Sequence, residues 1–333
     1  MSEAPSYQAA GVDLSAAQDA LDRIEAAVAS TYTPRVLRGL GSFGGLFRAS
    51  DLPERPVLVA TTDGVGTKTC VAAELGRWRG IGRDLVNHCV NDLLVQGASP
   101  LFFLDYLASA RLEPGRIGEL VGGMASACRE AGAALLGGET AEMPGVYVPG
   151  EIDVVGTLVG VVSEDRLLDG SRIREGDLLL GIASGGLQTN GFSLARSVLE
   201  SRYAEPLADG RSIADHLLDE HRSFLPALAP LLDAAVVRGA AHVTGGGLPG
   251  NLPRVLPDGL GARIDGSWPE PEIFATIRRL GGVEETEMRR VFNLGVGFVV
   301  AVAPADLERA RQLCTEPLLS VGTVEGGAGV HWP

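Results

Sequence analysis

Apolar runs of strand length alternate with amphipathic runs of helix length through both halves of this chain. In the longer runs, apolar residues recur every three or four positions, as they do on one face of a helix. The pattern predicts strands over residues 56–62, 101–107, 133–136, 152–162, 177–183, 294–303 and 318–324, and helices over 13–31, 81–96, 117–132, 304–313 and onward from Phe192. Because strands and helices alternate in both halves, the predicted fold class is α/β or α+β.

The chain length of 333 residues predicts two domains, since an average domain holds about 150 residues. Residues 163–176 are charged and follow neither a helical nor a strand period, so the boundary is placed there. We expect an N-terminal domain over residues 1–165 and a C-terminal domain over residues 166–333. Aromatic residues are only 5% of the chain, so Ala, Val and Leu must form most of the core.

A net charge of −14 argues against nucleic acid and anionic membranes as partners, because both bind clustered Lys and Arg. The negative charge is compatible with phosphorylated small molecules as ligands, since Mg²⁺ can bridge carboxylates to phosphate oxygens. The four cysteines show no CxxC spacing, which predicts neither a zinc site nor a disulfide framework. Residues 1–5 do not resemble a signal peptide, and no apolar run reaches the length of a membrane span. We therefore expect a cytoplasmic protein.

The chain contains one lysine among 27 arginines, and this Lys68 closes the run Asp63-Gly64-Val65-Gly66-Thr67-Lys68-Thr69. Glycines in such a run let backbone N–H groups face an anion, and a lysine adds a compact positive charge. The alternatives are an ordinary strand-to-helix turn and a chance survivor of codon bias. Asp63 favours a ligand-binding role for this run, because an acid beside a phosphate needs a metal ion to join them.

The predicted helix over residues 81–96 carries Asp84, His88 and Asp92 at spacings of four, which places them near one face. Asn87 and Asn91 lie beside them. Oxygen ligands at this spacing suit Mg²⁺. The alternative is a solvated helix face.

Three further glycine-containing runs are candidates for contact with a ligand. Glu139 and Thr140 follow an apolar strand within the run 137–145, which predicts a functional loop. The Asn190-Gly191 turn and the run 244–247 (Thr-Gly-Gly-Gly) fit either close backbone approach to a ligand or bare turns. The GxGxxG at residues 39–44 follows a helix and precedes a strand, so it is not a dinucleotide-binding fingerprint.

Together these runs resemble one enzyme family. The segments that carry the resemblance are, in chain order, 41–44 (GSFG), 62–68 (TDGVGTK), 90–93 (VNDL), 101–106 (LFFLDY), 137–145, 190–191 (NG), 244–247, 253–257 (PRVLP) and 293–297 (NLGVG). From about Tyr7 to the last predicted strand, the chain is similar to the phosphoribosylformylglycinamidine cyclo-ligases, also called aminoimidazole ribonucleotide synthetases. The linked set is specific, although no single segment is.

The resemblance implies an ATP-dependent ring closure in purine biosynthesis. Formylglycinamidine ribonucleotide and ATP would give aminoimidazole ribonucleotide, ADP and phosphate. An amide oxygen leaves poorly, so transfer of the γ-phosphoryl group onto it would create a good leaving group. The amidine nitrogen of the same molecule would then attack, and proximity would do much of the rest. The implied cofactors are ATP and Mg²⁺, and the protein must mainly hold and neutralise phosphates.

The resemblance also assigns residues. The implied Mg²⁺ ligands are Asp63, Asp92 and Glu139, and the implied catalytic residues are Lys68, Asp92, Gln188 and Asn190. The implied nucleotide contacts are Asp63, Gly64, Val65, Gly66, Thr67, Lys68, Asn91, Glu139 and Thr140. The implied contacts to the small-molecule ribonucleotide are Ser42, Phe43, Gly44, Gly45, Thr189, Gly191, Thr244, Gly245, Gly246 and Gly247. The family is dimeric, with the N-terminal sheets of two chains joined into a β-barrel, nucleotide sites near that interface, and a C-terminal mixed sheet covered by helices.

Three positions depart from the family pattern. Gln188 stands where the family usually has His, Gly250 where many members have Glu, and Ile24-Glu25 where many have a Lys. A neutral amide can bond a phosphate but cannot transfer a proton near neutral pH. One alternative is therefore a catalytically quiet nucleotide-binding protein. Another is a superfamily relative such as selenophosphate synthetase, thiamine-monophosphate kinase or the hydrogenase-maturation dehydratase. Selenophosphate synthetase would need a reactive cysteine near the N-terminus, and no cysteine precedes Cys70 in this sequence. The hydrogenase-maturation dehydratase would need a cysteine at the C-terminus, where this sequence reads His331-Trp332-Pro333.

Overall fold

A computed structural model describes residues 13–333. Residues 1–5 and Tyr7, on which two of the predictions depend, lie outside this range. The helices are α1 (Leu14–Ala29), α2 (Lys68–Leu75), α3 (Arg79–Val95), α4 (Pro114–Ala131), α5 (Phe192–Leu199), α6 (Ile213–Leu217), α7 (Leu225–Asp233), α8 (Gly247–Asn251), α9 (Glu272–Gly281), α10 (Glu285–Val291) and α11 (Leu307–Leu313). The strands are β1 (Val36–Arg38), β2 (Leu46–Phe47), β3 (Pro56–Gly64), β4 (Ser99–Ser109), β5 (Ala134–Glu142), β6 (Ile152–Ser163), β7 (Leu178–Ala183), β8 (Val237–His242), β9 (Leu260–Arg263), β10 (Val296–Val302), β11 (Leu319–Gly326) and β12 (Gly329–His331).

The N-terminal sheet has the strand order β3-β6-β4-β5. Strand β6 pairs antiparallel with β3 and β4, while β4 and β5 run parallel. Alternate residues of β6, including Val154 and Leu158, are buried beneath α3, while α4 packs on β4 and β5. On the opposite face, Leu58 of β3 is 63% exposed. One face of the sheet is therefore part of the core, and the other stays open at this edge.

Helix α3, which carries the predicted polar face, crosses α4 at unusually close range. A Cβ atom at Gly82 of α3 would collide with the carbonyl of Leu120, and one at Gly123 of α4 would collide with the carbonyl of Arg79. The two glycines thus let the helix backbones touch. This contact fixes α3 against the sheet and turns its other face towards the C-terminal domain.

The C-terminal sheet has the strand order β12-β9-β11-β7-β10-β8, with one parallel pair, β12 and β9. Every residue of β10 is buried. Phe298 and Val300 face one apolar cluster, while Val299 and Ala301 face a second cluster that includes Leu248 of α8. The predicted mixed C-terminal sheet covered by helices is therefore confirmed. The mixed α/β class is confirmed as well, with these two large sheets and a separate two-stranded sheet of β1 and β2.

One local prediction is wrong. Residues 137–142 were expected in a loop, but they continue β5 and pair with residues 104–109 of β4. A parallel partner strand thus extends β5 through two glycines, although glycine is depleted in strands. Glu139 is consequently held in a sheet register.

Across residues 13–333, no helix combines the length and the apolar character needed to cross a membrane.

Candidate active site

The polar face of α3 is buried against the C-terminal domain. Asp84, His88 and Asn91 on this face are at most 5% exposed. The Asn91 amide donates to the carbonyl of Arg222 at 2.9 Å and accepts from the backbone N–H of Phe224 at 2.9 Å. The prediction that these polar residues share one face is confirmed, and the alternative of a solvated face is wrong.

Two carboxylates meet where β3 ends beside α3. The hydroxyl of Thr61 lies 3.2 Å from Asp92 and 3.5 Å from Asp63. Burial and the neighbouring Asp92 raise the pKa of Asp63. Burial also acts to raise the pKa of Asp92, but the hydrogen bond and charge of His242 outweigh it, and the pKa falls below its usual range. Such a pair favours a shared proton or a cation, because two close carboxylates repel each other.

Three histidines surround this pair, and only one of them was a predicted candidate. The rings of His88, His221 and His242 lie 5.1 Å apart, centroid to centroid, in every pairing. The His242 Nδ1 lies 2.8 Å from Asp92, and the His88 Nε2 lies 3.5 Å from Asp63. Burial lowers the pKa of His88 to about 4, so this ring is neutral at neutral pH.

Lys68 is fully buried and does not face a ligand cleft. It begins α2, and its ammonium pairs with the carboxylate of Asp84 at 2.7 Å. It also donates to the backbone carbonyls of Gln188 at 3.0 Å and Asp219 at 2.6 Å. The ammonium is thus enclosed by three oxygen atoms of the protein. The predicted contact of Lys68 with a phosphate and its predicted catalytic role do not fit this geometry.

The glycine-containing run before Lys68 is shorter than predicted. Asp63 and Gly64 belong to β3, which leaves residues 65–67 as the connection to α2. Gly66 has a φ of 55°, a conformation that glycine adopts readily. The Thr67 hydroxyl lies 3.2 Å from that of Ser193 on α5. This connection thus closes onto the C-terminal domain.

The predicted run at 188–191 and the predicted run at 244–247 lie side by side. Gln188 has a φ of 63°, and its side-chain amide nitrogen is buried without a partner among the described residues. A Cβ atom at Gly245 would lie 3.2 Å from the Asn190 Oδ1. The structure therefore places the Asn190 amide beside the glycine run, although 55 residues separate them in the chain.

A cleft of about 590 Å³ opens between β3 and the C-terminal domain. Its lining includes Thr61, Asp92, His242, Asn251 and Arg254. Arg254 is exposed, and its guanidinium donates to the side chain of Asn251 at 3.3 Å. The sequence placed Arg254 in a family segment without giving it a role. Arg254 therefore supplies positive charge to the cleft, which Lys68 does not.

Glu139 lies far from Asp63 within one chain. Strand β5 is at the opposite edge of the sheet from β3, with β6 and β4 between them. Three strand spacings amount to roughly 14 Å. Glu139 pairs in register with Tyr106 of β4, while Asp63 pairs with Gly156 of β6. The predicted metal trio of Asp63, Asp92 and Glu139 is therefore not assembled within one chain.

The predicted ribonucleotide loop lies on the Glu139 side of the sheet. Residues 42–45 form the tip between β1 and β2, and Phe43 at this tip is fully exposed. A Cβ atom at Gly45 would collide with Leu136 of β5. The predicted site residues thus form two groups: the cleft group around Asp63, and the β5 group of residues 42–45, Glu139 and Thr140.

Asp105 of β4 lines a largely apolar pocket that also includes Glu139 and Thr140 of the β5 group. Its carboxylate packs across Gly138, where a Cβ atom would collide with it. The pocket is also lined by Ala20 and Ile24 of α1 and by Leu135. Burial raises the pKa of Asp105 to about 7.

We expect Asp105→Asn to stabilise the protein above pH 7, and to stabilise it only about a third as much at pH 5. A carboxyl group whose pKa is raised by folding contributes stability at low pH, and that contribution is lost as pH rises towards the folded pKa. The gain should be about 2 kcal/mol at pH 8.5, after discounting for the residual solvent contact of Asp105. Thermal unfolding at the two pH values measures it, with Asp153→Asn, at an exposed position of β6, as control. Equal shifts at both pH values would contradict the prediction.

Comparison with known proteins identifies the family. Models for the N-terminal and C-terminal domains of AIR synthase related proteins match residues 45–162 and 174–332. The phosphoribosylformylglycinamidine cyclo-ligase of Desulfitobacterium hafniense (strain DSM 10664 / DCB-2) is 47% identical over 332 residues, covering 96% of this chain and 97% of its own. The chain belongs to the phosphoribosylformylglycinamidine cyclo-ligase family. The cyclo-ligase of Nitrosococcus oceani is 51% identical over 315 residues, covering 92% of this chain and 87% of its own. The resemblance stated from the sequence is confirmed.

Solved structures outside the cyclo-ligases share the fold. Thiamine-monophosphate kinase from Stenotrophomonas maltophilia K279a matches with a TM-score of 0.66 at 20% identity, covering 94% of this chain and 95% of that one. The E. coli hydrogenase maturation protein HypE matches with a TM-score of 0.68 at 17% identity, covering 95% and 93%. These two proteins represent alternatives raised from the sequence. Their low identity shows a common fold alone, whereas the cyclo-ligases match at more than twice that identity.

Proposed function

We propose that this chain catalyses the ATP-dependent closure of the imidazole ring in purine biosynthesis. Formylglycinamidine ribonucleotide and ATP are converted to 5-aminoimidazole ribonucleotide, ADP and phosphate. The observation that carries the proposal is the identity of 47–51% to named cyclo-ligases over nearly the whole chain. We further place the protein in the cytoplasm, as the sequence predicted.

ATP and Mg²⁺ are the proposed cofactors. A structural neighbour, hydrogenase maturation protein HypE, is described in complex with ATP. Asp63 and Asp92 fit a hard cation, because they offer carboxylate oxygens at one point and burial leaves their repulsion poorly screened. When bound there, Mg²⁺ would neutralise phosphate charge. Glu139, which belongs to the β5 group, could reach this site only from a second chain.

The residues of the cleft would bind and orient the reactants. Arg254 would hold a phosphate group at the cleft, since a guanidinium can grip two phosphate oxygens at once. Asn190, placed against Gly245, would hydrogen-bond the ribonucleotide, and the glycines would let its phosphate approach the backbone. In the reaction, the γ-phosphoryl group moves to the amide oxygen of the substrate. The amidine nitrogen then forms the new C–N bond as phosphate departs, and the fixed geometry supplies the proximity.

A homodimer would unite the two groups of site residues. The face of the N-terminal sheet that α3 and α4 leave open carries Leu58, and both β3 and β5 are edge strands within the described chain. Unpaired edges and an exposed apolar face are features that proteins normally cover. We propose that two N-terminal sheets close into a β-barrel, so that the β5 group of one chain lies next to the cleft group of its partner.

The purified protein, given ATP, Mg²⁺ and formylglycinamidine ribonucleotide, should form an aminoimidazole that can be measured by diazotisation. Arg254→Met should raise KM for one of the phosphorylated reactants about tenfold or more, because a hydrogen bond to a charged group is lost. Arg311→Met, which removes an exposed arginine paired with Glu308, is the control and should leave KM unchanged. Absence of product under all conditions would refute the proposed function and favour a quiet nucleotide-binding protein.

A further inference from the structure

Two imidazoles and a carboxylate converge at the inner end of the cleft. One ligand atom from each of His88, Asp92 and His242 can be chosen so that all three lie within 4.8 Å of one another. The two histidines are 5% and 4% exposed, while the side chain of Asp92 is 29% exposed and lines the cleft. The group is thus enclosed by protein on the histidine side and open on the cleft side.

The hydrogen bonds around His242 place a proton on the ring nitrogen that faces away from Asp92. The Asn91 amide is oriented by its bonds to Phe224 N–H and Arg222 C=O, so its remaining N–H points to the His221 Nε2 at 3.0 Å. That Nε2 must then carry a lone pair. The His242 Nε2 lies 3.1 Å from the same atom and therefore donates to it. In a neutral ring, the His242 Nδ1 then presents a lone pair.

This lone pair faces another acceptor. The His242 Nδ1 lies 2.8 Å from the Asp92 Oδ1, and two acceptors at this distance repel each other unless a proton or a metal ion joins them. A metal ion bound by both atoms removes the repulsion without charging the ring. A metal ion here could also bind His88, since ligand atoms of the three side chains lie within 4.8 Å of one another.

His88 is oriented in the same way by a partner on its far nitrogen. Its Nδ1 lies 2.8 Å from the Thr189 hydroxyl, which lies 3.0 Å from the His221 Nδ1. The Thr189 oxygen has two lone pairs and can accept from both rings. When it does, the His88 Nε2 presents a lone pair towards the carboxylates. Metal-binding histidines characteristically have the far ring nitrogen bonded to a fixed partner.

We propose that His88, Asp92 and His242 form a binding site for a divalent transition metal, with Zn²⁺ as the preferred ion. Imidazole nitrogens favour Zn²⁺ over Mg²⁺, which takes oxygen ligands. Three protein ligands and an open position towards the cleft also match the coordination of non-structural zinc sites. Because Asp92 belongs to both sites, Zn²⁺ here would compete with Mg²⁺ for that carboxylate. None of the contacts that form this metal site depends on a bound nucleotide or on the ring-closure reaction.

The test uses the full chain, stripped of metal and free of nucleotide. Titration with Zn²⁺ in a calorimeter should show one tight equivalent per chain. Co²⁺ should give ligand-field absorption of a nitrogen-coordinated ion that Zn²⁺ abolishes. His88→Gln and His242→Gln should each weaken Zn²⁺ binding at least tenfold, and Thr189→Val should weaken it about tenfold by releasing His88. His331→Gln, at an exposed histidine, is the matched control and should bind as the wild type does.

Circular dichroism and thermal unfolding show whether each variant is folded. If a ligand variant does not fold, the wild-type Co²⁺ spectrum still decides, because hydrated or surface carboxylate-bound Co²⁺ is six-coordinate and absorbs only weakly. Absence of stoichiometric binding to folded wild-type protein overturns the proposal. Unchanged Zn²⁺ affinity in folded His88→Gln overturns it too. If Zn²⁺ does not bind, the proposed ring closure is unaffected. If the protein binds Zn²⁺ but forms no aminoimidazole ribonucleotide, only the proposed reaction is refuted.

Discussion

A mixture of Asp63→Asn and Glu139→Gln chains should recover about a quarter of wild-type turnover, although each variant alone should be nearly inactive. Removal of either carboxylate should lower turnover by about 100-fold or more, because a metal and triphosphate site depends on its charge. The recovery depends on the position of Glu139. It lies at the sheet edge opposite to Asp63, so a complete site requires the partner chain.

The expected recovery is set by how the chains pair. Random exchange makes half of the dimers mixed, and each mixed dimer has one site with both carboxylates intact and one with neither. Subunits are exchanged under mild conditions, mixed dimers are verified by native mass spectrometry, and product formation is then measured. The control pairs Glu139→Gln with the double variant, which can form no intact site. Mixed dimers without recovered activity would contradict a shared site, and full activity of Glu139→Gln alone would remove Glu139 from it.

The sequence predicted the features that depend on local periodicity. The spacing of Asp84, His88 and Asp92 predicted a shared helix face, and apolar runs of strand length predicted β3, β4 and β6. The sequence pattern could not reveal that residues 137–142 form a strand. Glycine is depleted in strands, and only the register with β4 holds this segment extended.

Contacts between distant segments explain what was missed. His221 and His242 lie 133 and 154 residues after His88, and no local pattern marks them as its neighbours. Lys68 was misinterpreted for the same reason. A lysine after a glycine-containing turn suits both a phosphate ligand and an ion pair, and the carbonyls of Gln188 and Asp219 that decide the matter are more than a hundred residues away.

Lys68→Met should destabilise the protein by about 3–5 kcal/mol, because it leaves the buried carboxylate of Asp84 without its cation. The catalytic role that the family resemblance implies for Lys68 would instead predict a loss of turnover at nearly unchanged stability. The structure reverses that expectation. Lys68 also anchors the carbonyl of Gln188, two residues before Asn190, so a loss of turnover should follow from displacement of that loop.

The loss in Lys68→Met should grow between pH 5 and pH 8. Burial raises the pKa of Asp84, and Lys68 is the main influence that opposes the rise. Without Lys68, folding favours the protonated carboxyl even more. Stability is then greatest below the ordinary carboxyl pKa and falls as pH rises towards the folded value. Denaturant unfolding of wild type and variant across this pH range measures the widening gap.

The double variant Lys68→Met/Asp84→Asn separates an uncompensated charge from lost packing. The asparagine can still accept the backbone N–H of His221, which Asp84 accepts at 2.6 Å. Most of the lost stability should therefore return, and the dependence on pH should disappear. Arg77→Met, at an exposed pair with Asp215, is the control and should cost no more than about 1 kcal/mol. If Lys68→Met proved as stable as the control, the buried pair would not tie α2 to α3, and a role for Lys68 at a ligand would again deserve testing.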